Sequence, residues 1–268
     1  MPIRKLRTAD ELWQAIDAIG DDFAGYVLEQ FVPGDVFHVD SIVFDRQVRF
    51  AVASRYNTPP MAVAHEGGIF ATRTLPADDP LSVALLQSNA RVLQAFGLVR
   101  GASHTEFIRT HSGEWFFLET SARVGGAFIV DVVEAATGVN LWREWAHVDI
   151  AGEDGAYEPP KSKNLAGGIV LSLARQEFPD TSAYTDPEIT VRVRKAHHAG
   201  LIVTSPNGER VSQLLDEYTR RLYGGFPASA VAVRAVRRGR VGAEHAAGDG
   251  ELGLLDQRRA ELGGERRV

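Results

Sequence analysis

The sequence has no cysteine in 268 residues. That excludes a disulfide framework, a thiolate metal site and a thiol nucleophile. Long apolar runs are also missing. None approaches the roughly 20 residues that a bilayer span needs, and the N-terminal MPIRKLRTADELWQ has no apolar signal core. Positive charge is not in excess: 29 Lys and Arg stand against 35 Asp and Glu, a net −6. This is the wrong sign for a nucleic-acid footprint. A phosphate loop of the form G-x-x-x-x-G-K-[ST] is absent. The absences point to a soluble cytoplasmic protein with neither membrane nor nucleic-acid partners.

What is present is enough apolar content, 44%, for one large or two modest domains. The most informative stretch is His104 to Gly126, HTEFIRTHSGEWFFLETSARVGG. It reads as two strands around the polar turn Thr110-His111-Ser112-Gly113, with carboxylates set inside apolar runs. If Arg109 and Glu114 pair across the turn, Glu119 falls opposite His104 and diagonal to Glu106, all on one sheet face. Diagonal neighbours lie roughly 7–8 Å apart, so the two carboxylates can converge on one ion. A slip of one residue would send Glu119 to the other face. Two carboxylates so placed repel unless a cation or proton lies between them, and hard oxygen ligands suit Mg²⁺. Arg123, followed by Gly125-Gly126, adds an anion fork and room for close backbone approach. The competing reading is an exposed hairpin with ordinary edge charges.

Elsewhere the pattern is mostly architectural. Thr8-Ala9-Asp10-Glu11 has capping-box form and opens a helix that Gly20 closes. Tyr26–Val32, Val36–Phe44, Gln47–Ala53 and Ile69–Leu75 read as strands. Ser54–Gly68 reads as a loop whose Arg55, Tyr56, His65 and Glu66 could face a substrate. Arg73 is a further candidate anion contact. Asp79-Pro80 starts a helix, residues 128–136 form another, and Asn140 caps a third. The Gly-, Pro- and charge-rich 152–164 reads as a linker. Strands at 166–174, 189–193 and 201–204 and a helix at 211–222 make up a segment 165–229. The tail 230–268, poor in bulky apolar residues, reads as disordered.

The pattern H-x-E-F, a turn, then F-L-E-x-x-x-R-x-G-G resembles the metal-binding hairpin of the ATP-grasp ligases. Upstream, Val27-Leu28-Glu29-Gln30-Phe31-Val32-Pro33-Gly34 resembles that family's adenine-binding hinge. The likeness covers roughly residues 1–150 and is closest to the branch that joins a carboxylate to an amine, including amino-acid ligases and carnosine-synthase-like enzymes. It implies an α+β fold: the C-terminal half of the ATP-grasp architecture, an antiparallel sheet with packed helices, plus a small β-rich C-terminal module. The implied division is a partial ATP-grasp domain at 1–151, the linker, and the module at 165–229. The family's N-terminal domain and its lysine- and glycine-rich lid have no counterpart in the sequence.

By the same resemblance, Glu29, Gln30 and Val32 meet the adenine. Val36 stands where the family places a ribose carboxylate, so Asp35 or His38 would substitute. Glu106, Glu119 and Ser121 hold the metal, with Ser121 where the family has asparagine, and Arg123 is catalytic, steadying the acyl-phosphate oxygens. The implied reaction is an ATP- and Mg²⁺-dependent (or Mn²⁺-dependent) ligation of a small-molecule carboxylate to an amine through an acyl phosphate. The alternative is a truncated, non-catalytic nucleotide- and metal-binding remnant, or one half of a split enzyme. The chain is then a homodimer or pairs with a partner chain supplying the front half. A zinc hydrolase built on His104, Glu106 and Glu119 is the least supported reading.

Overall fold

The computed structural model describes residues 4–66, 68–153 and 155–225; the side chains at 22, 23 and 64–66 lie outside that description. The tail expected to be disordered, 230–268, falls outside it as well. The chain divides after Phe31 into two compact units. In the first, helix α1 (Ala9–Ile19) starts where the capping box predicts, with the Thr8 hydroxyl accepting from Glu11 N–H, and ends at Gly20 (φ 61°). A 3₁₀ turn follows over Gly20–Gly25. Tyr26–Val32, expected to be a strand, forms none: Val27 and Leu28 are 62% and 69% exposed. Its apolar residues lack the buried face that would make a strand worth forming.

The second unit is built on one eight-stranded antiparallel sheet. Its strands are β1 (Asp35–Phe44), β2 (Gln47–Tyr56), β3 (Phe70–Thr74), β4 (Gly101–Arg109), β5 (Trp115–Ser121), β6 (Ala166–Leu173), β7 (Ile189–Arg192) and β8 (His198–Ser205). Their spatial order is β5-β4-β1-β2-β3-β6-β8-β7. The helices are α2 (Pro60–Glu66), α3 (Pro80–Ala95), α4 (Ile129–Thr137), α5 (Leu141–Ala151) and α6 (Gly208–Gly225). The stretch read as a loop, 54–68, is instead the end of β2 followed by α2, because pairing with β1 carries β2 on to Arg55, opposite Phe37. The segment read as a separate module continues the same sheet. β6 pairs with β3, and Gly167 N–H donates to Thr74 Oγ1 at 3.0 Å.

Alternation along the strands divides the sheet into two faces. Phe37, Val39, Ala53 and Phe107 pack under Leu85 of α3. On that same face Ala71, Val170, Leu201 and Val203 pack against Val211, Leu214, Leu215 and Tyr218 of α6. On the opposite face Ile42, Phe44 and Ala102 meet Val130 and Val133 of α4 and Leu141 and Val148 of α5. Asp79 caps α3 and Asn140 caps α5, as their positions in the sequence predict. The helices α4 and α5 leave part of their face lined by polar side chains, and the candidate site lies there.

Candidate functional site

Four cross-strand pairs fix the site. Across β1 and β4, His38 stands opposite Glu106 and Asp40 opposite His104. Across β4 and β5, Glu106 stands opposite Glu119 and His104 opposite Ser121. All six residues share one sheet face, and directly opposed side chains begin about 4.5–5.5 Å apart.

The sequence alone places Glu119 opposite His104 and diagonal to Glu106; in the structure it faces Glu106 directly. The correction has two parts. Arg109 pairs with Trp115 rather than Glu114, because Thr110 N–H bonds to the Glu114 carbonyl (2.9 Å) and takes both residues into the turn. A regular ladder from there would set Leu118 opposite Glu106 and turn Glu119 to the far face. The register shifts between Glu106 and Phe107 instead, leaving Leu118 as an extra bulged residue. A second bulge does the same on β2. Asp45 and Arg46, both with positive φ, make a two-residue turn pairing Phe44 with Gln47. Arg49 is then extra between Val48 and Phe50, which puts Tyr56 on the face of His38 rather than the reverse.

The side chains interlock. Asp40, fully buried, accepts from His38 Nδ1 at 2.7 Å and from His104 Nδ1 at 2.9 Å, one histidine on each oxygen. His38 Nε2 meets Thr72 Oγ1 at 2.8 Å, and His104 Nε2 meets Glu106 Oε1 at 3.4 Å. Tyr56 donates its hydroxyl to the same Glu106 oxygen at 2.6 Å. Gly125 closes over the cluster: a Cβ there would lie 2.7 Å from Asp40 Oδ1 and 3.0 Å from His104 Nδ1. Gly125 is thus packed against the chain's own Asp40 and His104, while at Gly126 the space is open.

Charge follows from this packing. Burial pushes the Asp40 carboxyl up, but the two histidines more than offset it and hold it well below the usual range. Burial lowers His104, and Asp40 with Glu106 raises it to about 10. For Glu106 burial again opposes ionisation; His104 and the Tyr56 hydroxyl prevail and its net shift is downward. Tyr56 is pushed up by burial and by the Glu106 charge, with a smaller push from Glu119. The result is an ionised carboxylate at Glu106, with Glu119 facing it.

The other predicted residues divide. Ser121 lies on the site face, opposite His104, and is half-buried. Arg123 is exposed, donating Nη1 to the Val124 carbonyl at 2.8 Å. Glu29 and Gln30 are exposed in the first unit; Val32, half-buried, begins the second. Asp35 is exposed on the opposite sheet face, where Arg55 pairs with it at 2.8 Å. His38 is corrected as a ribose contact: it is buried and both ring nitrogens are occupied. It also lies on the other face from Asp35, so the two cannot serve one sugar. Arg73 bonds Asn57 at 3.0 Å. Of the substrate-facing candidates, Tyr56 joins the site, Arg55 does not, and the side chains of His65 and Glu66 lie outside the described residues. Of the residues named for the zinc reading, His104 contacts Asp40 through Nδ1 at 2.9 Å and Glu106 through Nε2 at 3.4 Å.

Asp40 and the role of Tyr56 escape the sequence reading. His38, Asp40 and His104 could geometrically surround an ion, but their direct bonds at 2.7 and 2.9 Å leave the cluster closed on itself.

No protein-family model matches the chain. A curated relative, the L-arginine-specific L-amino acid ligase of Bacillus subtilis, is 30% identical over 125 residues, which are 46% of this chain and 30% of the relative. The crystal structure of an L-amino acid ligase from Bacillus licheniformis matches with a TM-score of 0.59 at 16% identity, over 79% of this chain and 58% of that one. The fold is that of the ATP-grasp ligases. A second structure, the carboxyaminoimidazole ribonucleotide synthase of Aspergillus clavatus complexed with ATP, gives a TM-score of 0.52 at 12% identity, over 70% of this chain and 50% of that one. The chain thus spans under a third of the curated relative and 50–58% of these two solved structures. Among the described residues, no helix is long and apolar enough to cross a membrane.

Within this ATP-grasp sheet, Glu106, Glu119 and Ser121 lie on one face by their register, each carrying oxygen donors. Such a set fits Mg²⁺, which favours hard oxygen ligands and takes one or two carboxylates.

Proposed function

We propose that this chain carries the metal- and phosphate-binding part of an ATP-dependent ligase joining a carboxylate to an amine. The observation that carries the reading is the facing pair Glu106 and Glu119 on the polar part of an ATP-grasp sheet. Its support from relatives is the 30% identity to an amino-acid ligase. Glu106 and Glu119 would hold Mg²⁺ with help from Ser121; the ion, when bound, supplies charge neutralisation at phosphate oxygens. Arg123, exposed beside the site, would steady the anionic acyl phosphate. In the ligation a substrate carboxylate oxygen takes the γ-phosphoryl group and ADP leaves. The amine then attacks the acyl carbon, phosphate departs and the amine proton is lost. No protein nucleophile takes part, in keeping with a cysteine-free chain. Val32 is a proposed adenine contact; Asp35, on the sheet face away from Glu106 and Glu119 and paired with Arg55, is not proposed for the ribose.

The test is calorimetric titration with ATP, with and without Mg²⁺, on the chain and on Glu119→Gln. The reading predicts Mg²⁺-dependent nucleotide binding that the substitution abolishes while the circular-dichroism spectrum and urea midpoint stay put. Unchanged binding in Glu119→Gln refutes it. Phosphate release on adding carboxylate–amine pairs then separates a ligase from a module that only binds.

A further inference from the structure

We propose that Tyr56 and the Asp40–His104 pair are positioning residues that lock Glu106 by one oxygen, so that it meets the metal through Oε2 alone. The inference rests on the metal reading above. Both donors that reach Glu106 address the same atom: the Tyr56 hydroxyl at 2.6 Å and His104 Nε2 at 3.4 Å, each on Oε1. A carboxylate with one oxygen committed to two donors binds a cation through the other. Mg²⁺ demands near-ideal octahedral geometry, so a fixed monodentate ligand suits it better than a swinging one.

The lock is itself held. His104 is oriented at Nδ1 by Asp40, Asp40 is held on its other oxygen by His38, and His38 is anchored at Nε2 by Thr72. Thr72 in turn donates to the Arg55 carbonyl at 3.1 Å. The chain of contacts thus runs across four adjacent strands, β4, β1, β2 and β3. The His38 ring also lies against both donors to Glu106, tilted to each, with centroids 4.7 Å from Tyr56 and 5.2 Å from His104. From above, Gly125 rests on Asp40 and His104. It follows Arg123 by two residues, so the loop bearing that cation is seated on the network that aims the carboxylate. Outer partners of metal ligands fix ligand orientation, and removing one typically weakens metal binding by about 10–100-fold.

The experiment titrates Mn²⁺ into the full chain, with and without ADP, and follows the electron paramagnetic resonance signal of free Mn²⁺. The variants are Tyr56→Phe, Asp40→Asn and, as the ligand control, Glu119→Gln. Tyr56→Phe should weaken Mn²⁺ binding by about 10-fold or more in the folded variant, whose urea midpoint falls with the lost hydrogen bond to Glu106. Its infrared difference spectrum on metal binding should show the carboxylate stretches drawing together, as Glu106 is freed to bind through both oxygens. A purely structural role would leave that spectral separation where it is. Asp40→Asn should weaken binding in the same direction; if it does not fold, Tyr56→Phe alone decides. Wild-type affinity and an unmoved spectrum in Tyr56→Phe overturn the inference while leaving the metal reading intact. Absence of Mn²⁺ binding in the unsubstituted chain overturns both.

Discussion

Replacing Gly125 with alanine isolates the packing of the buried His–Asp–His cluster from its chemistry. The added Cβ would sit 2.7 Å from Asp40 Oδ1, 3.0 Å from His104 Nδ1 and 3.0 Å from Ile129 Cγ2. None of these can give cheaply. Asp40 is fully buried and tied on both oxygens, and Ile129, the first residue of α4, is 2% exposed in the core. Gly125 is not in the left-handed region, so the cost is steric rather than conformational. Overpacking of a filled site costs about 1–3 kcal/mol. At a urea slope of about 2 kcal/mol/M the midpoint should fall by ~0.5–1.5 M. The matched control is Gly126→Ala, where a Cβ meets nothing within 4 Å. That change should be neutral, or stabilising by up to about 1 kcal/mol through the unfolded chain. Denaturation of both variants, followed by circular dichroism and tryptophan fluorescence, measures the difference. Equal midpoints for the two would refute the claim that Gly125 is required by contact with Asp40.

Ser103, 1% exposed, has a hydroxyl with no partner among the described residues, so Ser103→Ala should raise stability by about 1 kcal/mol in the same urea assay. Its cross-strand neighbour behaves oppositely: Ser41 accepts from Asn89 Nδ2 at 2.8 Å, and Ser41→Ala should cost about 1–3 kcal/mol by stranding that donor. At the far end of the sheet Arg210 bonds Glu188 (2.8 Å) and Asp186 (2.9 Å). The Tyr218 hydroxyl and Arg210 hold Asp186 below its usual range, and Arg210 does the same for Glu188. Carboxyls depressed in the folded state add stability above their unfolded pKa and lose it as pH falls through the folded one. Arg210→Met should therefore flatten the decline in melting temperature between about pH 5 and pH 3; an unchanged slope would refute the assignment.

Much of this architecture is legible in the chain itself. Thr8, Asp79 and Asn140 announce three helix starts because each carries a side-chain acceptor just before an apolar stripe, and each is found capping its helix. Leu214, Leu215, Tyr218 and Leu222 share one face of α6 at helical spacing, and all are fully buried. What misleads is composition read as topology. The Gly- and Pro-rich stretch around 152–164 marks an exposed connection, yet β6 beyond it pairs with β3, so the sheet is continuous across it. Val27, Leu28 and Phe31 read as a strand by their apolarity, but they lie exposed in the first unit. Local sequence reports propensity; ladder partners are a long-range fact.

The candidate site shows the same division more sharply. His38-x-Asp40 and His104-x-Glu106 each put two titratable groups on one side of a strand, and period-two alternation makes that visible. That the two pairs mesh, each histidine opposite an acid, depends on pairing residues 64 positions apart, which neither strand declares. The two bulges are less visible still. Arg49 and Leu118 look like ordinary strand residues, yet each shifts its strand by one position, and a shift of one reverses every side chain beyond it. Tyr56 and Glu119 share the face of Glu106 only because both shifts occur. Glu106 and Glu119 share one face through a different register from the expected one: the turn holds one more residue than assumed, and the bulge restores the parity that the turn alone would have broken. A polar face made this way is specified by irregularities in the ladder, so its residue types can be read from the sequence while its geometry cannot.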